Sequence, residues 1–506
     1  MRKAASLLFL LKFLKAPLSI ITLSLTAKYF GVSLDRDIWL LSFSFIIMID
    51  LAIWGPINET FRAKFITIKE SEGEIAALEH TRSLLAYIFL GSLLVVLLME
   101  IFAPMIASWI APNFTEEESK SLTSMLRWVS PILLFNQFVL LGNSILNAYE
   151  IFYAPELAAF ISQGANILLL ILLAPYIGIY SLLFSTALSS FFQIAFLIFY
   201  YRKLRIPIFK RQTIKFEHFW FFFLFAVPFF IPYFFGQLNG IIEKSIASTL
   251  GTGVVSTIDY ARRVPDIING VLISVVLTIV VPLLTKNFVR KDEDSFNANF
   301  MSSFQLGLFL LMAFVAFMAT GSMHLNTLLY TSNSISFDAM KDITDLSVLY
   351  AGALIAIFLY LLFGMCMISV GKSKLYAVLG AGAQVFIILL NMLLVERVGM
   401  YTFPLSIFVA HFVSAIVMAY NYPYDKKQIA VEFIRYVLFG VVLSIGVYYS
   451  YASLVYMYTL NNIIFEIIII GVIQILLMLV MGYLFQIKEF VDLHHKAKAV
   501  LTKFTR

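Results

Sequence analysis

An all-α polytopic membrane protein of about fourteen transmembrane helices is the fold class that this sequence predicts. Three observations carry the prediction. Hydrophobic residues make up 61% of 506 residues and charged residues only 13%, with mean hydropathy +0.91. So few charges could not cover the surface of soluble domains of this total size. Apolar runs long enough to cross a bilayer, about 20 residues each, recur from end to end. Lys and Arg fall mostly into alternate connections, as the positive-inside rule requires.

The runs lie near 7–29, 38–57, 83–105, 125–147, 155–177, 179–200, 219–241, 254–282, 301–322, 345–369, 374–394, 401–420, 431–451 and 463–484. They are called segments 1 to 14 here. Segment 1 resembles a signal peptide, but Lys12 and Lys15 interrupt it and no small-x-small cleavage site follows, so a retained first helix is expected. The charged stretch 58–82 reads as a solvated helical extension. All five Trp (39, 54, 109, 128, 220) sit near segment ends, as interfacial anchors do. Cys366 is the single cysteine, which excludes an intrachain disulfide and reads as a small hydrophobe.

With the N-terminus inside, 24 of the 36 Lys/Arg fall in cytoplasmic connections and tails and 5 in the opposite loops. Both termini are therefore expected in the cytoplasm. The +6 formal charge is then chiefly a topology signal, and no nucleic-acid partner is expected.

An internal repeat appears at an offset of 221, where Gln163, Gly178, Tyr180 and Ser185 meet Gln384, Gly399, Tyr401 and Ser406. Six helices per repeat keep both halves in one orientation, related by a pseudo-two-fold along the membrane normal. The expected organisation is an N-lobe over 1–215, a C-lobe over 216–428, and two extra helices with a basic tail over 429–506.

Charges inside apolar segments need a partner or a wet cavity. Asp259, Arg262, Arg263 and Asp266 are spaced i, i+3, i+4, i+7 on segment 8, roughly one face of a helix. Such a group is either an arginine site for a phosphate-bearing substrate or a self-neutralising ion network. Gln237 and Asn239 stand on segment 7, and Glu243 follows on the same helix. Lys15 and Lys28 stand on segment 1, Asp37 opens segment 2 and Asp50 lies inside it. Pairing of Asp50 with Lys12 or Lys15 would make a structural contact or a gate. Asn136, Gln137, Asn143 and Asn147 cluster on segment 4, where interhelical hydrogen bonding is the ordinary expectation. No H-E-x-x-H spacing and no Walker A loop occurs, so no ATP hydrolysis by this chain is expected.

Several ordered motifs resemble the MurJ/MviN family of lipid II flippases, within the multidrug/oligosaccharidyl-lipid/polysaccharide (MOP) exporter superfamily. They are Phe30-Gly31 followed by Asp37; Ala111-Pro112-Asn113-Phe114; and Leu126-Arg127 with Pro131, Ile145-Leu146-Asn147-Ala148, Phe152, Pro155 and Asn166. Further on come Gln237-Leu238-Asn239 with Glu243 and Ala247-Ser248, then Tyr260-Ala261-Arg262-Arg263 with Gly270 and Pro282. The likeness runs to about residue 420. It implies two six-helix lobes around a cation-lined cavity, a tail groove on the last two helices, and flipping of an undecaprenyl-pyrophosphate-linked glycan. That cargo would be a lipid II-like precursor or a polysaccharide repeat unit, moved from cytoplasm to periplasm by alternating access.

On this reading Arg263, Arg262, Lys15, Lys28, Gln237 and Asn239 would bind substrate. Asp37, Asp50, Glu243, Asp259 and Asp266 would gate or couple. No cofactor is implied beyond an unspecified coupling ion. The partners implied are the lipid-linked glycan, membrane lipids and cell-envelope glycan synthesis proteins, at the bacterial inner membrane. The sequence departs from the family at segment 1, where Ala16, Ser19, Thr22 and Leu23 replace its arginines and aspartate. Arg262 replaces the aspartate of segment 8, and Asp50 is an addition. Two other readings stay open: a MATE-like cation-coupled antiporter, which would favour acidic cavity residues, and a membrane glycosyltransferase or polymerase, which would need a larger outer loop than 323–343.

Overall fold

A computed structural model describes residues 2–208, 213–276, 280–330, 334–423, 426–457 and 462–488. In the first half of the chain the helices are α1 (Arg2–Phe30), α2 (Leu34–Ser71), α3 (Glu74–Ile110), α4 (Glu116–Val129), α5 (Ile132–Ala148), α6 (Tyr153–Ile177), α7 (Tyr180–Lys203) and α8 (Phe216–Ser248). The rest are α9 (Val254–Val275), α10 (Val281–Val289), α11 (Glu293–Tyr330), α12 (Phe337–Ser369), α13 (Ser373–Val398), α14 (Thr402–Tyr420), α15 (Lys426–Met457) and α16 (Ile463–Leu484). Every predicted segment is occupied by helix among the described residues, and ten helical stretches there are long and apolar enough to cross a membrane. No strand occurs among the described residues.

Two segments predicted as single runs are divided. Segment 4 is broken into α4 and α5 at Ser130–Pro131. Pro131 has no N–H to continue the ladder, and the next amides close tight turns, Leu133 to Ser130 O at 3.1 Å and Leu134 to Pro131 O at 3.0 Å. Segment 8 is helical as α9 and α10; residues 277–279 lie outside the described residues.

The charged stretch after segment 2 is helix, as expected, as far as Ser71. Gly73, at φ +95°, makes the corner into α3. Its cations lie over aromatic rings: Lys64 Nζ is 3.8 Å from the Phe221 centroid and Lys69 Nζ 4.2 Å from Tyr149. Each such contact contributes about 0.5–1 kcal/mol at an exposed site. α4 begins with a capping box: Thr115 N donates to Glu118 Oε2 at 2.7 Å and Glu118 N to Thr115 Oγ1.

The chain divides into two compact units. One comprises 1–256 with 330–335, the other 257–329 with 336–506. By contacts, α8 belongs to the first unit, although the repeat places it at the start of the second lobe. The first unit is cored by Trp54, Phe61, Phe65, Leu141, Leu197 and Phe222, with Phe61 and Phe222 stacked at 5.4 Å. Trp39 and Trp54 are buried, so these two are packing residues and not interfacial anchors. Trp109, Trp128 and Trp220 are exposed.

In the second unit, Phe300, Phe304, Phe363, Tyr422, Tyr436 and Phe439 form the largest aromatic part of the core. Buried Cys366 packs there as a small hydrophobe. The last two helices are fastened to α11 along its length. Gln305 Nε2 donates to Glu432 Oε2 at 3.1 Å and Gln474 Nε2 to Ala313 O at 2.7 Å. A Cβ on Gly440 would meet Met312 Sδ at 2.5 Å, so only glycine allows that approach of α15.

The repeat has a backbone counterpart. Gly178 ends α6 at φ 55°, ψ −136°, and Gly399 ends α13 at φ 62°, ψ −142°. Each amide reaches the carbonyl four residues back, of Ala174 and Val395. This is a region that residues with a Cβ essentially avoid. Ser185 and Ser406, also matched by the offset, are both fully buried.

Candidate functional site: buried charged and amide groups

The corner between α1 and α2 explains the Phe-Gly…Asp motif as architecture. Gly31, at φ +53°, turns the chain, and a Cβ there would collide with the Ser334 carbonyl oxygen. Asp37 is buried in the first turn of α2. Its carboxylate accepts from Gly253 N at 2.5 Å and Ser256 N at 2.7 Å. These amides belong to residues 253–256, at the entrance to α9 and within the first unit. Helix N-termini leave such amides without helical partners and favour negative charge, so Asp37 acts as an N-cap supplied from another helix.

Asp50 is fully buried in α2. The Asp50–Lys15 pair expected from sequence is not formed. Lys15 Nζ lies 3.8 Å from Glu156 Oε2 on α6, while the Lys12 side chain lies outside the described residues. Asp50 is held by carboxamides of α5. Gln137 Nε2 donates to Oδ1 at 2.6 Å, and Asn136 Nδ2 donates to Oδ2. Asn58 Nδ2 in turn donates to Gln137 Oε1 at 2.9 Å. The Lys15 pairing failed as a sequence inference because it depends on the rotation of α1 against α2, which composition does not encode. Lys15 and Glu156 instead border a polar cavity of about 340 Å³ with Asn143, Asn147 and Phe152.

Lys28 lies in the last turn of α1, where a cation complements the helix dipole. On α8, Asn239 and Glu243 are buried and one turn apart, while Gln237 is partly buried. Gln237 is two residues from Asn239, about 200° around the helix, so these two do not share a face. Lys244 Nζ donates to Ser44 Oγ on α2. Ser245 and Ser248 donate to Trp109 O and Ile110 O at 3.2 and 3.3 Å, docking the end of α8 on α3.

In the second unit, α9 carries two ion pairs of i, i+4 spacing. Arg263 Nη2 lies 2.9 Å from both oxygens of Asp259. Arg262 Nε lies 3.9 Å from Asp266 Oδ2, and its guanidinium stands 5.3 Å from the Tyr350 ring centroid. The Arg263 side chain is 45% exposed and the Asp259 side chain 12%. Opposed charges on one helix orient the guanidinium at little net energy, because exposed pairs contribute about 0–1 kcal/mol. Ser347 Oγ, from α12, donates to Ala261 O at 3.0 Å and fixes α9 beside these pairs.

A further cluster was not legible from sequence. His324 Nε2 lies 2.7 Å from Glu466 Oε2, to which the Tyr451 hydroxyl donates at 2.8 Å. The three residues come from α11, α15 and α16 and tie the last two helices to α11. The only signal was the presence of ionisable residues within apolar segments. Among the described residues no group of His, Cys, Asp and Glu is arranged to hold a metal through three such side chains.

Helices of membrane-crossing length in two compact units, with carboxylates and guanidiniums held on them, define a polytopic helical membrane protein. The family model described as "Lipid II flippase MurJ" matches residues 26–467, and the chain belongs to that family. A probable lipid II flippase MurJ of Borreliella burgdorferi is 24% identical over 345 residues, 66% of each chain. Alignments with the curated relatives span 35% to 66% of those relatives' length. Among solved structures, a lipid II flippase MurJ in an inward closed conformation superposes with TM-score 0.78 at 19% identity, covering 95% of this chain and 98% of that one. An inward-facing MATE transporter of the MOP superfamily superposes with TM-score 0.65 at 16% identity, covering 82% and 95%. At these identities the structural likenesses establish the fold.

Proposed function

We propose that this protein flips an undecaprenyl-pyrophosphate-linked glycan, a lipid II-like precursor or a polysaccharide repeat unit, from the cytoplasmic to the periplasmic leaflet. It does so by alternating access at the bacterial inner membrane, with both termini cytoplasmic and no covalent change to the cargo. The observation that carries the reading is the family match over residues 26–467. The MATE-like alternative shares the fold but not that family match.

The chemistry of the described residues suits such a cargo. Arg263 is pre-oriented by Asp259, and its fork matches two phosphate oxygens. Arg262, beside Tyr350, adds a second guanidinium on α9. Of the two amides on different faces of α8, the partly buried Gln237 is assigned to sugar hydroxyls, and Lys15 and Lys28 to negative charge on the cargo. Exposed aliphatic residues along α15 and α16, such as Ile434, Val441, Ile468 and Leu476, suit a polyprenyl tail. The lobes 1–215 and 216–428 are the proposed moving parts, with 429–506 as the tail-bearing addition. Cell-envelope glycan synthesis proteins are the proposed partners.

Native mass spectrometry of the purified protein tests the cargo class. The expected result is a co-purified polyprenyl-pyrophosphate glycan whose retention falls in Arg263→Ala. Retention of ordinary phospholipids alone, unaffected by that substitution, contradicts the reading.

A further inference from the structure

A cavity of about 930 Å³ opens between α3 and α4, within the size range that small ligands occupy. It lies wholly inside the first unit. Helix α4 buries Leu122, Met125, Leu126 and Val129 and presents Glu116, Lys120 and Arg127 to the cavity, where Glu100 faces them from α3. Two cations and two carboxylates therefore line one space.

The two pairs are unequal. Lys120 Nζ lies 2.6 Å from Glu116 Oε1, both well exposed. Toward the apolar segments, Arg127 Nε donates to the Glu100 carbonyl oxygen at 3.1 Å and stands 3.6 Å from the Glu100 carboxylate. Among the described residues this is the guanidinium's one hydrogen bond, and the Glu100 carboxylate accepts none. Both side chains are nearly half exposed, 44% and 48%. A guanidinium fork and a carboxylate thus stand side by side with unused donors and acceptors.

Their setting is a lipid-facing surface. Glu100 lies inside the apolar run 83–105, flanked by exposed Leu97, Ile101 and Phe102. Arg127 precedes Trp128, which is exposed and lines the same cavity, as an interfacial anchor does. Charges at such a depth are satisfied by headgroups or water, not by hydrocarbon.

We propose that the cavity between α3 and α4 binds a phospholipid with a zwitterionic phosphoethanolamine headgroup, its phosphate on Arg127 and its ammonium on Glu100. The guanidinium fork matches two phosphate oxygens, and a primary ammonium donates to a carboxylate. An anionic lipid would satisfy Arg127 but leave Glu100 without a donor. Pro104, Phe114 and Trp128 in the wall suit the upper part of the acyl chains. None of these residues is assigned to the cargo, so the binding does not depend on the flippase reading. On the proposed topology this end of α3 faces the outer leaflet.

The test is quenching of Trp128 fluorescence by lipids brominated on their acyl chains. The purified full-length protein is placed in phosphatidylcholine nanodiscs, with Trp128→Phe assigning the signal. Brominated phosphatidylethanolamine is expected to quench at roughly one tenth of the mole fraction that brominated phosphatidylglycerol needs. Glu100→Gln is expected to abolish that preference by weakening phosphatidylethanolamine alone, and Arg127→Gln to weaken both lipids. Both variants should melt as the wild type does, because the pair is nearly half exposed and such pairs add little stability. Ser124→Leu, which fills the cavity without removing a charge, is expected to weaken both lipids and carries the test if a charge variant fails to fold. Equal quenching by the two lipids in the wild type overturns the proposal, as does a preference that persists in Glu100→Gln or full quenching in Ser124→Leu. Reversal of the quenching by soluble glycerophosphoethanolamine would make the ligand a free solute and overturn the lipid assignment.

Discussion

Arg263→Ala is expected to reduce transport at least 100-fold while leaving folded protein at wild-type levels. The two halves of this expectation have different sources. Charge-assisted hydrogen bonds contribute about 1.5–3 kcal/mol each. Losing one phosphate fork in the transition state therefore costs about two orders of magnitude in rate. Folding is spared because the Arg263 side chain is nearly half exposed and its partner Asp259 is one turn away on the same helix, a pair contributing at most about 1 kcal/mol. Arg263→Lys should recover only part of the activity, since an ammonium lacks the planar fork. Flipping measured per folded molecule in proteoliposomes checks both halves. Wild-type flipping by Arg263→Ala would remove Arg263 from the substrate path, and loss of folded protein would make it a structural residue.

Asp37→Ala is expected to act in the opposite way, by lowering stability. The substitution strips the acceptor from the amides of Gly253 and Ser256, which are buried at a helix entrance. Each unsatisfied buried donor costs about 1–3 kcal/mol, and a lost N-cap alone costs about 0.5–2 kcal/mol. For the two amides together the loss is roughly 2–6 kcal/mol, with the N-cap figure describing the same bonds. Folded yield and the thermal midpoint in detergent should fall, while the molecules that do fold should flip cargo at near wild-type rates. Asp37→Asn, which keeps one oxygen acceptor, should lie between. Unchanged stability with abolished transport would instead restore Asp37 to the gating role that the sequence suggests.

The contrast between these two residues shows what could be read from sequence. Apolar runs of about 20 residues are a one-dimensional signal, so every segment emerged, although helices such as α2, α3 and α11 run well past the apolar bounds because their polar ends carry no such signal. Even the break in segment 4 was marked, by Pro131. The glycines at 178 and 399 were visible as a repeat, although their shared φ and ψ needed the backbone. Partner choice was not visible. Lys15 meets Glu156 and Asp50 meets Asn136 and Gln137, because helix rotation and register decide those contacts. His324, Tyr451 and Glu466 converge from three helices with no spacing to announce them. Trp39 and Trp54, near segment ends in sequence, are turned into the unit, since nearness to an end does not fix which face a side chain occupies.

The central claim is that this chain moves a pyrophosphate-linked polyprenyl glycan across the membrane. Its most direct measurement is rescue of bacteria depleted of their lipid II flippase by expression of this protein. Restored growth and peptidoglycan synthesis, lost again with Arg263→Ala, is the predicted result. Contradiction would come from a folded, membrane-inserted protein that rescues neither these cells nor mutants blocked in exporting polyprenyl-linked polysaccharide units.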